Sequence, residues 1–496
     1  MSKTNGPSAC PIVGIGSSAG GLDALKAFFS GLPADTGAAF IVIQHLDPTH
    51  ESLTAEILSR STSMPVVQIT DGMKVEANHV YVIPPNAYLA LQRHLLVLSE
   101  PVLMHGVRMP IDSFLWSLAE QCKERAIAII LSGTGSDGAL GLREVKGNGG
   151  LVMAQAPEPA QYDGMPQSAI STGLVDRVCP VEDMPDHLAG YLKTPYVGGA
   201  DSDEPEKTPD DKGSMASVLA ILRTRTGHDF RAYKPGTLDR RIARRMSLHH
   251  ISRMDDYVVF LRKNEGEAKL LFQDLLIGVT SFFRDPEAFE ALDREVITPL
   301  VEVRQTDEPI RVWVPGCASG EEAYSIAILL IERLETAHKH CPIQLFASDI
   351  DESGLAFGRT GTYPENIVAS VSPERIKRFF TKEDHSFRVS KILRETITFA
   401  TQDLIGDPPF SNLDLISCRN LLIYLEPEVQ RKLLALFHFA LKKQACLFLG
   451  HSETTGQQQE LFEPVSKKWR IYRRASQART PALDFPIGTR KPRPTG

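Results

Sequence analysis

A serine within a glycine-rich turn is the first residue of this 496-residue chain whose setting points to chemistry. Residues 16–20 read GSSAG; they close the apolar run IVGIG and precede a helical pattern, LDALKAFFSGL. The pattern GxSxG, with Ser18 at its centre, is typical of a nucleophilic serine exposed on a sharp strand-to-helix turn. The same stretch also fits GxGxxA, a dinucleotide-binding loop, and an ordinary tight turn explains it equally well, so the motif alone decides nothing.

The end of the second predicted strand separates these alternatives. A dinucleotide-binding fold requires Asp or Glu there to hold a ribose, whereas the run AAFIVIQHLDP has Gln44 and His45 at this point. Because parallel strands end at one edge of a sheet, we expect His45 beside Ser18, where a general base belongs. We therefore favour a hydrolase over a dinucleotide-binding site.

A carboxylate that orients the histidine is expected on another loop at the same edge. After the run AIAIIL, residues 132–138 read SGTGSDG and lead into the helical pattern ALGLREVK. Asp137 is the candidate orienter of His45, and the backbone N–H groups of this loop are candidate oxyanion donors. By itself Asp137 would be a helix N-cap. Together, Ser18, His45 and Asp137 predict a catalytic triad.

A second group of candidate residues lies at four later strand ends. Residues 311–324, RVWVPGCASGEEAY, indicate a strand, a loop of small residues and a helix with Glu321 in its first turn. The next three strands end at Asp349, at Asp403 and Leu404, and at Arg419 and Asn420. An acidic residue after the second strand is typical of a ribose-binding position. The pattern predicts a nucleoside cofactor but does not separate nicotinamide from S-adenosylmethionine.

Two series of short apolar runs alternate with helical patterns, which predicts two α/β domains with mostly parallel sheets. The fold class is α/β: two Rossmann-like doubly wound domains joined by an acidic linker, the second preceded by a small all-helical subdomain. The linker holds six acidic residues, three prolines and almost no apolar side chain. The expected segments are the first α/β domain at 10–193, the linker at 194–214, the helical subdomain at 215–295, the second α/β domain at 296–475 and a disordered tail at 476–496.

The composition is that of a globular protein with a mildly acidic net charge of -7. This charge argues against a general nucleic-acid binder. The seven cysteines are scattered without a CxxC pair, which predicts reduced thiols and no metal site. The N-terminal residues lack the apolar core of a signal peptide, and no apolar run reaches membrane-spanning length. We expect a cytoplasmic protein with no membrane-inserted segment.

The first half resembles the CheB-type chemotaxis methylesterase catalytic domain. The segments IGSSAGG, VIQHLDP and LSGTGSDGALG carry the resemblance, GMPQSAI and GLVDRV extend it, and it spans about residues 10–192. It implies Ser18 as the nucleophile, His45 as the general base and acid, and Asp137 as its orienter. Thr134 stands where this family usually has methionine. A receiver domain usually precedes this family's catalytic domain, and we do not expect one in the roughly ten residues ahead of the first strand.

The second half resembles the CheR-type chemotaxis receptor methyltransferases over about residues 215–475. The segments that carry this resemblance are VTSFFRD, GCASGEEAYSIA, ASDIDESGL and CRNLLIYL. It implies S-adenosylmethionine as the cofactor and a glutamate of a coiled-coil chemoreceptor as the methyl acceptor. The residues that it places in the cofactor pocket are Gly278, Thr280, Arg284, Glu321, Asp349, Asp403, Leu404, Arg419 and Asn420. Gly278 replaces the asparagine that the family usually has.

Basic residues concentrate near the start of the helical segment. Nine lysines and arginines and only two acidic residues lie between positions 223 and 253, with Arg240, Arg241, Arg244 and Arg245 at helical spacing. A solvated helix face is the usual explanation of such a run, but an acidic receptor would favour a binding role, which we expect here. We also hypothesise that the linker or the esterase surface screens this face until a receptor displaces it. Between exposed charges, this effect would be modest and salt-sensitive.

These observations predict a bifunctional enzyme of reversible carboxyl methylation in chemotaxis-like signalling. Its N-terminal half would hydrolyse protein glutamate methyl esters, with deamidation of glutamine as a related reaction, and its C-terminal half would form the esters. A signalling scaffold whose domains only bind receptor tails is an alternative, and the Ser18, His45 and Asp137 set argues against it for the first half. A nicotinamide oxidoreductase conflicts with His45 and with the methyltransferase segments.

Overall fold

The computed structural model describes residues 10–45, 53–101, 108–198, 209–276, 278–384, 386–456, 458 and 460–475. The chain folds as two compact units, each assembled from separate stretches of sequence. The first unit comprises residues 1–218, 239–279 and 364–369, and the second comprises residues 219–238, 280–363 and 370–496. Each unit contains one of the two predicted α/β sheets.

The first unit is built on a seven-stranded sheet in which every pairing is parallel. Its strands are β1 (Ile12–Ser17), β2 (Ala39–Gln44), β3 (Val66–Gln68), β5 (Val80–Val82), β8 (Ala126–Ile130), β9 (Leu151–Gln155) and β10 (Arg177–Cys179). The order across the sheet is β10-β9-β8-β1-β2-β5-β3. A smaller antiparallel sheet contains β4 (Met73–Lys74), β6 (Tyr88–Gln92) and β7 (Leu95–Ser99).

Helices cover both faces of the parallel sheet, which explains why its central strands are apolar at nearly every position. The helices of this domain are α1 (Gly21–Gly31), α2 (Thr54–Leu58), α3 (Pro110–Cys122), α4 (Ala139–Gly147), α5 (Gly164–Ser171), α6 (Met184–Leu192) and α7 (Pro195–Gly198). Ile12 belongs to a core cluster with Phe114 of α3, whereas its neighbour Val13 belongs to a second cluster with Phe28 of α1. Alternate residues of β1 therefore pack on opposite faces.

The segment that follows is helical, as predicted. Its helices are α8 (Pro209–Thr226), α9 (Pro235–Leu248), α10 (Met254–Lys263), α11 (Glu265–Leu275), α12 (Pro286–Leu292) and α13 (Thr298–Val303). A π-helical turn, Asp293–Ile297, joins the last two. Pro235 and Pro286 stand at helix starts, where a proline loses no hydrogen bond and its fixed φ suits the helix.

The second unit also has a seven-stranded sheet, with five strands paired in parallel and two antiparallel pairings at one edge. Its strands are β11 (Ile310–Pro315), β12 (Ile343–Asp349), β16 (Ile397–Thr401), β17 (Leu413–Cys418), β18 (Leu441–Leu449), β19 (Phe462–Ser466) and β20 (Ile471–Arg474), in the order β16-β12-β11-β17-β18-β20-β19. The associated helices are α14 (Glu321–Thr336), α15 (Glu352–Thr360), α16 (Pro373–Phe379), α17 (Lys391–Glu395) and α18 (Pro427–Ala440). A small sheet contains β13 (Thr362–Pro364), β14 (Phe380–Glu383) and β15 (Ser386–Val389).

The predicted linker and tail fall largely outside this description. Residues 199–208 of the linker and residues 476–496 of the tail are not among the described residues. The described ends of the linker are helical, in α7 and at the start of α8, although an irregular segment was expected. The boundaries of the five predicted segments stay predictions.

Candidate active sites

Ser18 and His45 follow directly on two neighbouring strands. Ser17 of β1 pairs with Gln44 of β2, so the next residue of each strand leaves the sheet at the same edge. The backbone N–H of His45 donates to the Ser17 carbonyl over 3.2 Å, and that of Ser18 donates to the Ser132 carbonyl over 3.1 Å. The structure thus places the candidate nucleophile, the candidate base and the glycine-rich loop at one sheet edge.

The histidine and the aspartate of the predicted triad are hydrogen-bonded. Nε2 of His45 lies 2.7 Å from Oδ2 of Asp137, whose side chain is buried. This contact leaves Nδ1 of His45 as the ring nitrogen available to the serine. Within the part of the chain that the structure describes, the Ser18 hydroxyl makes no hydrogen bond to the imidazole. Such contacts commonly close only when substrate binds.

Asp137 is not the N-cap that its position in the sequence would suggest. Its oxygens accept the backbone N–H groups of Ile111 at 3.0 Å and Asp112 at 2.9 Å, both at the start of α3. The N-cap of α4 is Gly138, which has φ +100°. The positive end of α3 therefore stabilises the ionised carboxylate that orients His45.

The loop from Ser132 to Gly138 is held tightly against the serine turn. A side chain at Gly133 would collide with Met165 and with the Cβ of Ser18, so only glycine fits there. The Gly133 N–H already donates to the Tyr162 carbonyl at 3.0 Å, which removes it from the candidate oxyanion donors. The Ser132 N–H is likewise engaged, because it donates to the Gln155 side chain. The N–H groups of residues 134–138 remain predicted donors, and a backbone role is compatible with threonine at position 134.

Three residues that sequence reasoning missed support this site. The buried Ser132 hydroxyl bonds the Ala19 and Tyr162 carbonyls, and the Ser132 N–H donates to the Gln155 side chain at 2.8 Å. The third is Asp112, which is fully buried below Asp137. In the sequence, Gln155 is a polar residue at the end of an apolar strand, and Asp112 is an acidic residue in the first turn of a helix. Neither position by itself indicates a functional site.

In the second unit, the loop after β11 is shaped by positive backbone angles. Gly316, Ala318 and Gly320 have φ of +69°, +46° and +93°, and helix α14 begins immediately afterwards. The N–H groups of Gly316 and Cys317 donate to the Ser348 carbonyl of β12 at 2.8 and 3.1 Å. The Ala318 N–H donates to Oδ2 of Asp349 at 2.8 Å, while the Asp351 N–H donates to Oδ1 at 2.9 Å. Asp349 and the loop thus form one site at neighbouring strand ends.

Asp349 and Glu321 are held in defined orientations. Burial raises the pKa of Asp349, although the N–H groups of Asp351 and Ala318 oppose this shift because they stabilise the ionised form. Glu321 is buried at the start of α14, where Oε2 accepts the Ser319 hydroxyl at 2.6 Å. The position beside a helix N-terminus favours a negative charge.

Asp403 lies after β16, on the strand next to β12. Its Oδ1 accepts the Ile405 N–H at 3.0 Å, and its Oδ2 lies 3.1 Å from Nδ1 of the buried His228. His228 packs edge-on against Phe230, with ring centroids 4.6 Å apart. Leu404 follows Asp403 and is half-exposed. The histidine was missed because its partner is 175 residues away.

Arg419 and Asn420 follow β17. The Arg419 guanidinium is buried, donates to the Arg284 carbonyl at 3.0 Å and pairs with Asp285 at 2.5 Å. Because its side chain is occupied in this way, we expect Arg419 to contact a cofactor through its backbone, or to act indirectly by positioning Arg284. Asn420 has φ +59°, and its N–H donates to the buried Glu453 at 2.9 Å. Burial raises the pKa of Glu453, another residue that the sequence did not single out.

Two predicted pocket residues come from the segment before α12. Thr280 and Arg284 are half-exposed, and the intervening Phe283 has φ +48° and an N–H that donates to Ser325 of α14. Gly278 is exposed and belongs to the first unit. The parts of all three in a cofactor pocket stay predictions.

The basic run on α9 does not form the exposed face that was expected. Arg241, Arg244 and Arg245 are buried. Arg241 and Arg244 donate to backbone carbonyls of residues 146–150 at the end of α4, and Arg245 pairs with Glu267 of α11. Arg240 is exposed and lies 3.4 Å from Glu124. The receptor-binding role of this face is therefore wrong for the three buried arginines.

Arg244 lies at the centre of a buried ionic network. It pairs with Asp176 and with Asp274, and Lys146 contacts the same two carboxylates. Burial opposes ionisation of Asp274, but the positive charges of Arg244 and Lys146 hold its pKa below the ordinary value. Residues 146–150 of the first α/β domain thus cover the buried side of α9, and this buried network is screened little by salt, contrary to the salt-sensitive effect that was expected. Displacement of this cover by a receptor stays a hypothesis.

The described ranges contain neither a candidate metal-binding cluster nor a helix that could span a membrane. They hold no group of three or more His, Cys, Asp or Glu side chains arranged to bind a metal ion. None of the helices built from these residues combines the length and the apolar character that crossing a bilayer requires.

Family models match nearly the whole described chain. Residues 13–188 match the model described as CheB methylesterase. Residues 214–276 match the CheR methyltransferase all-alpha domain, and residues 278–471 match the CheR methyltransferase SAM binding domain. The chain belongs to both families. It combines a CheB methylesterase domain and a CheR methyltransferase in one polypeptide.

Individual relatives agree with these matches. An uncharacterized 104.1 kDa protein of Rhodobacter capsulatus is 36% identical over 454 residues, which are 88% of this chain and 48% of that protein. The chain thus spans about half the length of that relative. A chemotaxis protein methyltransferase of Borreliella burgdorferi is 30% identical over 49% of this chain and 88% of its own length. The crystal structure of the Thermotoga maritima CheB methylesterase catalytic domain is 33% identical, covers 36% of this chain and 98% of that one, and has a TM-score of 0.35.

Proposed function

We propose that this chain both forms and hydrolyses methyl esters of glutamate side chains on a chemoreceptor or a similar coiled-coil signalling protein. The single observation that carries the esterase half is the 2.7 Å contact between His45 and Asp137 beside the Ser18 turn. For the transferase half, it is Asp349 bound to the glycine-rich loop of the neighbouring strand. All seven cysteines are free thiols, which fits the expected cytoplasmic location.

Ester hydrolysis would follow the serine-hydrolase pattern. Ser18 attacks the ester carbonyl while His45 takes its proton through Nδ1. The imidazolium that forms is stabilised by Asp137, which two backbone N–H groups hold in position. His45 then returns the proton to the departing methanol oxygen. Water repeats the sequence on the acyl-enzyme and releases the free glutamate.

The residues of the second unit fit S-adenosylmethionine. Each oxygen of Asp349 accepts one backbone N–H, so each keeps a lone pair for a ribose hydroxyl. When bound, the cofactor supplies a methyl group on a positively charged sulfur. The receptor glutamate is already ionised near neutral pH, so the protein needs no general base. Its task is to align the carboxylate, for which Arg284, fixed through its carbonyl by Arg419, is the candidate.

The proposal is tested by incubating the full chain with S-adenosylmethionine labelled in the methyl group and a purified receptor signalling fragment. Label should appear on the fragment and then in volatile methanol. Label that never enters the fragment would disprove the transferase half. Label that enters but is never released would disprove the esterase half.

A further inference from the structure

Two carboxyl groups lie together beneath His45, at the starts of two neighbouring helices. Asp137, just before α4, accepts the N–H groups of Ile111 and Asp112 from α3. Asp112, in the first turn of α3, accepts the N–H of Gly141 from α4 at 2.6 Å. The start of α3 therefore binds the Asp137 carboxyl group, and the start of α4 binds the Asp112 carboxyl group.

The two carboxyl groups differ in what surrounds them. Asp137 has a donor at each oxygen, including His45. Asp112 is 0% exposed, and its Oδ2 has no donor among the described residues. An ionised oxygen buried without a donor is costly, and two adjacent carboxylates repel each other. A proton on Asp112 removes both costs.

The backbone N–H of Asp112 donates to Oδ1 of Asp137 at 2.9 Å, which keeps the two carboxyl groups close together. Burial and, after it, the charge of Asp137 raise the pKa of Asp112 well above the ordinary value. A protonated Asp112 has a donor to offer the neighbouring carboxylate, which an ionised Asp112 would lack. Because Asp137 already receives an N–H on each oxygen, Asp112 is the carboxyl group that gains more from a proton.

We propose that Asp112 is a positioning residue of the esterase site, a carboxylic acid that stays protonated at neutral pH and donates a hydrogen bond to Asp137. This role rests on the proposed esterase function. The bond fixes the Asp137 carboxylate in its position against His45. Asp112 itself exchanges no proton with substrate.

Among the described residues, few other titratable groups surround the pair. On the elements packed against this end of α3 they are His45 after β2, Tyr88 on β6 and Arg108 just before the helix, while residues at the start of α4 contribute the N–H groups that bind Asp112. Burial raises the pKa of Tyr88, and the charge of Asp137 adds to that shift. The guanidinium of Arg108 is the one cation among these described neighbours when His45 is neutral.

The test compares Asp112→Asn with Asp112→Ala in the full chain. Asparagine keeps an oxygen for the Gly141 N–H and a donor for Asp137, so it copies the protonated acid. We expect kcat for methanol release to stay within about threefold in Asp112→Asn and to fall roughly 10- to 100-fold in Asp112→Ala, as for lost supporting contacts elsewhere. A loss in Asp112→Asn as large as in Asp112→Ala would show that an ionised group is needed and would overturn the proposal.

A second experiment detects the proton on Asp112 directly and does not depend on enzymatic activity. The infrared difference spectrum between wild type and Asp112→Asn at neutral pH should contain the carbonyl stretch of a protonated carboxylic acid. Its absence would overturn the proposal even if both variants were active. If the wild-type chain released no methanol, the proposed function would fail, while the infrared band would still decide whether Asp112 is protonated.

Discussion

Ser17 and Ser18 are adjacent, but the structure gives them different surroundings. Ser17 is 0% exposed and packs against Gly21, whereas Ser18 is half-exposed at the start of the turn. We expect Ser18→Ala to abolish methanol release, with a loss approaching ~10⁶-fold, because the nucleophile is removed. Methyl transfer should be unchanged.

Ser17→Ala is the matched control for this prediction. It removes one buried hydroxyl at the neighbouring position and should retain most of the esterase activity. Loss of activity in Ser17→Ala with retention in Ser18→Ala would move the nucleophile by one residue.

Asp349 gives a second residue-level prediction. Asp349→Asn keeps an acceptor for the Ala318 N–H but removes the charge that strengthens hydrogen bonds to ribose hydroxyls. The dissociation constant for S-adenosylmethionine, measured by calorimetry, should rise roughly 10- to 100-fold. Asp351→Asn is the control, because Asp351 caps α15 through Ser353 and an asparagine can do the same. Equal affinities in the wild type and Asp349→Asn would remove Asp349 from the cofactor site.

At the scale of elements, the long apolar strands were predictable and the short ones were not. A strand such as β8 is buried at every position, so it appears in the sequence as a continuous apolar run. The strands of the small sheets, such as β4, β6 and β7, are only two to five residues long and have mixed exposure. No clear periodicity identifies them in the sequence. Candidate residues such as Ser18, His45 and Asp349 could be located in the sequence because each lies at the end of a long strand, while their roles stay predictions.

The supporting residues were less predictable for a physical reason. Asp112, His228 and Glu453 are polar side chains whose partners lie far away in the sequence. Whether such a side chain is solvated or buried depends on tertiary packing, which local patterns do not contain. The same limit explains the error over α9, since an arginine-rich helix has one pattern whether its partner is water or a protein surface.

The pH dependence of stability follows from the pair beneath His45. The pKa of Asp112 is raised in the folded state, so the folded protein binds a proton that the unfolded chain releases above its ordinary Asp pKa of ~3.9. The stability that this proton contributes is full at low pH and declines as pH rises toward the raised pKa. Asp112→Asn has no such loss, so its melting temperature relative to wild type should increase from pH 5 to pH 8. A constant difference would mean that Asp112 titrates normally.

At the scale of the molecule, the buried network around Arg244 ties α9 from Asp239 onward to the rest of the first unit. Arg244→Met leaves Asp176 and Asp274 without their central cation, and breaking a buried pair in this way costs about 3–5 kcal/mol. Chemical denaturation should show this loss for the first unit. Arg240→Met, which removes only an exposed contact with Glu124, should change stability by less than about 1 kcal/mol. Equal stability of the two variants would mean that the network contributes little.

The presence of two opposed activities on one chain is tested most directly by following a single labelled methyl group. Wild type, Ser18→Ala, Asp349→Asn and the double variant are each given methyl-labelled S-adenosylmethionine and the same receptor fragment. Wild type should pass label through the fragment into methanol, and Ser18→Ala should accumulate it on the fragment. Asp349→Asn should slow its entry, and the double variant should show slow entry without release. Methanol release by Ser18→Ala at the wild-type rate, or entry of label unaffected by Asp349→Asn, would contradict the assignment of these sites.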